Sequence, residues 1–177
     1  MKQCWIAVLV AALAWTATLS TPALSVAQDT HTATLTAVKE VLTCFSAGSG
    51  DFQATIRQGD SALDYQLSYN GLSGTVTQAH IHFGKRFEQG GIVVFLCSNL
   101  APPPADLPAN TPPCPVPSGT VSGTLDASSV IGRASGQGIN AGEFAKLVEA
   151  IRFRAGLTYA NVHSSLCPGG EIRGQIR

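Results

Sequence analysis

Three histidines are the residues of this chain best placed to do chemistry. His80-Ile81-His82 sets two imidazoles at i and i+2, which on an extended strand project from the same face. Tyr159-Ala160-Asn161-Val162-His163 supplies a third at the end of another extended segment, next to a Gly-rich turn. If those two strands lie side by side, one sheet face carries an imidazole cluster, and imidazole nitrogens are ligands for zinc or copper. His80, His82 and His163 are therefore the candidate metal ligands. The same residues permit a second reading, a polar framework in which the rings hydrogen-bond backbone groups and one another around no ion. Glu171 and Arg173 share a face if the last segment is extended. They are candidates for the shell around the cluster, Glu171 as an acceptor orienting His163 or as a further ligand, Arg173 as its partner.

Other chemistries find little footing. Ser164 and Ser165 adjoin His163, but strand neighbours point apart, and no Gly-x-Ser-x-Gly elbow occurs. Glu40 and Asp51 have no evident partner carboxylate, which removes a glycosidase argument. The Gly136 to Gly142 stretch lacks both the Lys-Ser/Thr ending of a phosphate loop and the strand-then-helix setting of dinucleotide binding. Only 12 % of residues are charged and the formal net charge is zero, so no field of one sign attracts nucleic acid or anionic lipid. Tyr65, Tyr69, Phe83 and Phe95 accordingly read as core fillers rather than a stacking platform. Lys85-Arg86 and a Pro-rich insert are the surface loops that could meet a protein or small ligand.

The elements that must position the histidines read as short strands. Lys2, an apolar run from Cys4 to Trp15, and Ser25-Val26-Ala27 together read as a secretory signal over residues 1–27, cleaved near Ala27, with a secreted or periplasmic destination. No later run is long enough for a transmembrane segment. One domain, residues 28–177, is expected. Once Cys4 is lost with the leader, four cysteines remain, and an even number in an exported chain suggests two disulfides among three possible pairings. Cys97 and Cys114 bracket the Pro-rich insert, residues 98–113, so Cys97–Cys114 is expected to pinch it; Cys44–Cys167 follows by elimination. Alternation of apolar and polar residues marks strands at His31–Lys39, Gly50–Arg57, Ala62–Tyr69, Thr75–Phe83, Thr120–Leu125, Leu157–His163 and Glu171–Arg177. Ile92–Leu96 is apolar throughout and reads as a central strand. Asn140-Ala141-Gly142-Glu143 matches a capping box opening a helix that carries Phe144, Leu147, Val148 and Ile151 and stops at Gly156. The fold expected is mainly β, an antiparallel β-sandwich or Greek-key barrel with one short helix.

At the level of whole motifs the chain resembles the CHRD (chordin-domain) family. The residues that carry the resemblance are Leu35-Thr36-Ala37-Val38-Lys39-Glu40-Val41, Tyr65-Gln66-Leu67-Ser68-Tyr69-Asn70-Gly71-Leu72 and Ala79-His80-Ile81-His82-Phe83-Gly84. Tyr159 to Ser165 and Pro168 to Ile176 complete it, in the family's order. The resemblance implies a secreted all-β domain, found in bacterial exported proteins and repeated in the animal antagonist chordin. Leu42-Thr43-Cys44 stands where many members have a Pro-rich stretch, which points to a disulfide specific to a subset. The His-x-His pair of His80-Ile81-His82-Phe83-Gly84 is also similar to the copper-ligand strand of copper-zinc superoxide dismutases, which implies copper ligation by His80 and His82. The dismutase zinc loop of His and Asp is missing. The expected function is a non-enzymatic structural or interaction module. The alternatives are a copper- or zinc-binding protein with superoxide dismutase-like redox activity and an extracellular ligand-binding module.

Overall fold

Alternation of side chains across the strands is what lets this sheet curl around a core. The computed structural model describes Met1 and residues 28–177; the expected signal segment lies outside the described residues. Eight strands are present: β1 (Asp29–Thr36), β2 (Ser49–Ile56), β3 (Leu63–Asn70), β4 (Val76–Phe83), β5 (Gly91–Ser98), β6 (Gly119–Leu125), β7 (Thr158–Ser164) and β8 (Ile172–Gln175). They form one antiparallel sheet in the order β5-β4-β7-β8-β1-β2-β3-β6. The edges β5 and β6 approach each other, and the Tyr65 hydroxyl on β3 donates to Leu96 O on β5 across the gap. The sheet is thus a nearly closed barrel. Around it β4, β5 and β6 run in succession, with β7 returning beside β4 and β3 beside β6, a Greek-key arrangement.

The inward positions are apolar at every second residue: Phe52 and Ala54 on β2, Leu63 and Leu67 on β3, Ala79 and Ile81 on β4, Ala160 and Val162 on β7. Helix α1 (Phe144–Phe153) adds Phe144, Leu147, Val148 and Ile151 to the same cluster. It begins later than the Asn140 capping box predicts. Gly142 has φ +80°, outside the helical region, so the chain cannot spiral from residue 141. Glu143 does reach back to accept from Asn140 N at 2.7 Å, as a capping box requires, but the motif closes a turn ahead of the helix.

β5 differs from expectation in place rather than in kind. It is buried on both faces, yet it is an edge of the hydrogen-bonded order, not a central strand. The second cover comes from the 3-10 segment Gly132–Gln137 packed on its outside, and Ile131 N donates to Val93 O at 2.9 Å along the open edge. β1 ends at Thr36, short of Lys39, because residues 37–39 form a 3-10 turn closed by Glu40 N to Ala37 O at 3.0 Å. The Pro-rich insert is loop, as proline's missing donor demands. Cys97 pairs with Cys114 at its base, Cα atoms 5.0 Å apart, and Cys44 pairs with Cys167, Cα atoms 6.1 Å apart. Asn99 braces that base by accepting from Cys114 N and donating to Cys114 O, each at 3.0 Å. No helix of the described residues is long and apolar enough to cross a membrane.

Candidate metal centre

β4 and β7 are direct neighbours, with His82 opposite Tyr159, His80 opposite Asn161 and Gln78 opposite His163. Opposed residues of an antiparallel pair point to the same side. All three histidines therefore stand on the outer face of the wall, while Ala79, Ile81, Ala160 and Val162 fill the core behind them. An outer face would ordinarily be wet, but this one is not: His80 is 0 % exposed and His82 and His163 7 % each. Gly90, from the loop of residues 84–90, and Pro168, from the turn of residues 167–170, supply carbonyl oxygens to the rings. One nitrogen from each histidine lies within 4.8 Å of the other two.

Hydrogen bonding fixes which nitrogens carry protons. His82 Nδ1 faces Gly90 O at 2.9 Å, and His163 Nδ1 faces Pro168 O at 2.9 Å. A carbonyl oxygen can only accept, so in each ring the proton sits on Nδ1 and Nε2 is left a lone pair. His82 Nε2 is buried with no hydrogen-bond partner. His163 Nε2 lies 3.2 Å from His80 Nδ1, and His80 Nε2 meets Gln78 Oε1 at 3.0 Å. With the Gln78 amide oxygen turned that way, His80 donates from Nε2 and its Nδ1 is a third lone pair. Turning the amide over would place the proton on Nδ1 and close a His80–His163 hydrogen bond instead. The His82 and His163 assignments hold in either case.

The electrostatics keep the rings neutral. Burial pushes His80 well below the ordinary imidazole value, with the neighbouring His163, His82 and Arg133 acting in the same direction. Burial also takes His82 down to about 4, helped by His163 and Arg173 and opposed by the Gly90 carbonyl and the Asn161 amide. His163 is lowered by burial against the pull of Pro168 O. Neutral imidazole is the form that binds a metal. Two lone pairs flanking a third ring are chemically suited to copper or zinc; bonds of about 2.0–2.1 Å place two ligand nitrogens at most about 4.2 Å apart, so ligation would draw the rings inward from their 4.8 Å spread.

Aromatic packing holds the rings in place. Tyr159 stacks on His82 with centroids 4.7 Å apart and planes 4° apart, and Phe95 meets His80 edge-on at 4.6 Å. Phe95 thus serves the outer wall instead of the barrel core. Arg173 lies with its guanidinium carbon 3.3 Å from the Tyr159 ring centre and donates to Lys85 O at 2.7 Å and Glu88 O at 2.8 Å. It therefore supports both Tyr159 and the loop that carries Gly90 O.

Glu171 lies elsewhere. Its Oε1 accepts from Ser46 Oγ at 2.6 Å and from Ser73 N, and hydrogen bonds from Ser164, Ser46 and Ser73 overcome the cost of burial to hold the carboxyl below its usual range. Ser164 alternates with His163 on β7, so Glu171 serves the opposite side and does not orient His163; Pro168 O does. The expected shared face of Glu171 and Arg173 fails because β8 begins at Ile172, and Gly170, at φ +124°, turns the chain just before Glu171. Sequence reasoning does not assign Gln78, Tyr159 or Asn161 to the site, although i−2 and i−4 spacing from His80 and His163 places each on the histidine face. It also leaves out Glu40, whose Oε2 is buried unpartnered and whose carboxyl is raised by burial against the Val41 N–H, Arg173 and Asn161. No local spacing links Glu40 to β7.

No curated protein and no solved structure matches the chain. A family model, that of the CHRD domain, matches residues 31–176, a span that takes in every strand but the first residues of β1 and both segments that carry the histidines. The chain belongs to the CHRD domain family.

Proposed function

We propose that this protein is an exported, non-enzymatic CHRD module whose outer wall holds one copper or zinc ion through His80 Nδ1, His82 Nε2 and His163 Nε2. The observation that carries the reading is the pair of backbone carbonyls set against His82 Nδ1 and His163 Nδ1. Two backbone carbonyls force the protons of His82 and His163 to Nδ1, which leaves the Nε2 lone pair of His82 buried without a partner and that of His163 beside His80 Nδ1. A metal-ligating histidine typically donates its other ring N–H to an oxygen in this way. The donor set favours copper or zinc over magnesium or calcium, because it is nitrogen and not carboxylate. Bound there, the ion would tie β4 to β7 beneath the 84–90 loop. The nearly closed face, with His82 and His163 at 7 % exposure, favours holding an ion over turning over an oxidant such as superoxide.

Export is proposed from the leader pattern, from the two cysteine pairs, which persist in oxidising compartments, and from membership of the family. Whether residence is periplasmic or outside the cell is decided by fractionation of the native host. The metal reading is tested by equilibrium competition against a chromophoric chelator, with copper and zinc in separate titrations. One ion per wild-type chain and none in His82→Ala or His163→Ala is the expected result. Equal uptake by wild type and both variants, or none by any, overturns it. Circular dichroism on each variant separates lost ligation from lost folding.

A further inference from the structure

The Lys and Arg side chains of the described residues fall into two groups. Arg57, Arg133, Lys146, Arg152 and Arg154 each hold a carboxylate, and Arg173 is occupied by backbone carbonyls and Tyr159. Among the described residues Lys39, Lys85, Arg86 and Arg177 make no ion pair, and all of these but Lys85 line a single cleft of about 380 Å³. Its remaining walls come from Thr32, Ala33 and Thr34 on β1 and Gln175 on β8. Arg177 is fixed at the rim by its backbone, which exchanges hydrogen bonds with Thr32 at 2.8 and 3.0 Å.

The surrounding charges sharpen the selection. Lys39 donates to Thr34 O, which holds its ammonium over β1, and the Arg86 guanidinium lies 4.6 Å from the Phe87 ring centre. Asp51, an acid on the neighbouring β2, accepts from the Thr34 hydroxyl at 3.2 Å and does not line the cleft. Unpaired like charges around one concavity repel one another, and a dianion relieves that repulsion better than a single carboxylate. Guanidinium groups also match the oxygens of phosphate and sulfate in a two-pronged fit.

We infer that this cleft binds a phosphate or sulfate group, with Lys39, Arg86 and Arg177 as its cationic contacts. The site is separate from the histidine cluster, so it stands whether or not a metal binds. A free dianion and a phosphate ester carried on a sugar share this chemistry, a sulfate ester offers the same oxygens with a single charge, and the volume is within the range of small-molecule pockets.

Isothermal titration of the metal-free protein at low ionic strength tests it. One arm uses inorganic phosphate and inorganic sulfate, the other glucose 6-phosphate and glucose 6-sulfate. Saturable one-to-one binding is expected in at least one arm, with tighter binding in the second naming an ester as the source and equal or tighter binding in the first naming the free anion. Lys39→Gln and Arg86→Gln each weaken it about tenfold, Arg86→Glu abolishes it, and Lys85→Gln, an unpaired cation outside the cleft, leaves it unchanged. Added salt weakens it in proportion to screening. No saturable binding in either arm overturns the inference. So does equal affinity in wild type, Lys39→Gln and Arg86→Gln, or a loss in Lys85→Gln as large as in Arg86→Gln.

Discussion

Single atoms decide this site, and the clearest are the two carbonyl oxygens that set the tautomers of His82 and His163. With its amide oxygen toward the ring, Gln78 holds the His80 proton on Nε2, so Gln78→Ala is expected to lower metal affinity about 10–100-fold with the fold intact, as measured by chelator competition. The buried rings also give the metal-free protein a pH dependence. An unfolded chain protonates its imidazoles at about 6.5, whereas folded His82 resists down to about 4. Between those values the unfolded state binds more protons, so the stability contribution is complete above the higher value and falls away as the pH drops toward the lower. Urea midpoints of chelator-treated protein should fall over that window, and less steeply in His82→Gln. An equal slope in the variant would contradict burial of His82 as the cause.

At the scale of elements, the loop of residues 84–90 matters most because it carries both Gly90 O and the carbonyls that Arg173 holds. A Cβ at Gly90 would fall on Phe83 O, so Gly90→Ala should displace the loop, weakening metal binding and lowering the urea midpoint together. Wild-type affinity in that variant would show that the loop does not set the His82 ring. Strand positions are legible in the sequence, since alternation along Leu63–Tyr69 or Phe52–Ile56 records which side faces the core. The start of α1 is not, because the capping-box residues fit a turn as well as a helix and Gly142 selects the turn. Nor is the place of β5. An unbroken apolar run reports burial on two faces but not which element supplies the second, here the Gly132–Gln137 segment.

The molecule as a whole is one antiparallel sheet wrapped almost shut, so the meeting of its two edges is its mechanical seam. Tyr65 spans that seam through its hydroxyl to Leu96 O, and Tyr65→Phe should cost about 1 kcal/mol in unfolding free energy, read from urea titration. The meeting of His80 and His82 with His163 is readable in the sequence only as far as three imidazoles on two strands. That those strands pair is a property of the Greek-key order, in which β7 returns beside β4 after β5 and β6 have been laid down. Pro168 comes from the turn that directly follows β7, but Glu40 comes to this wall from a distant turn, which no spacing along the chain announces. The proposed metal site is tested most directly by the ion content of the folded chain, measured by equilibrium dialysis against copper and zinc followed by elemental analysis. One ion per wild-type chain and none per His163→Ala chain of the same fold is expected; a wild-type protein that takes up no ion above the buffer level would contradict it.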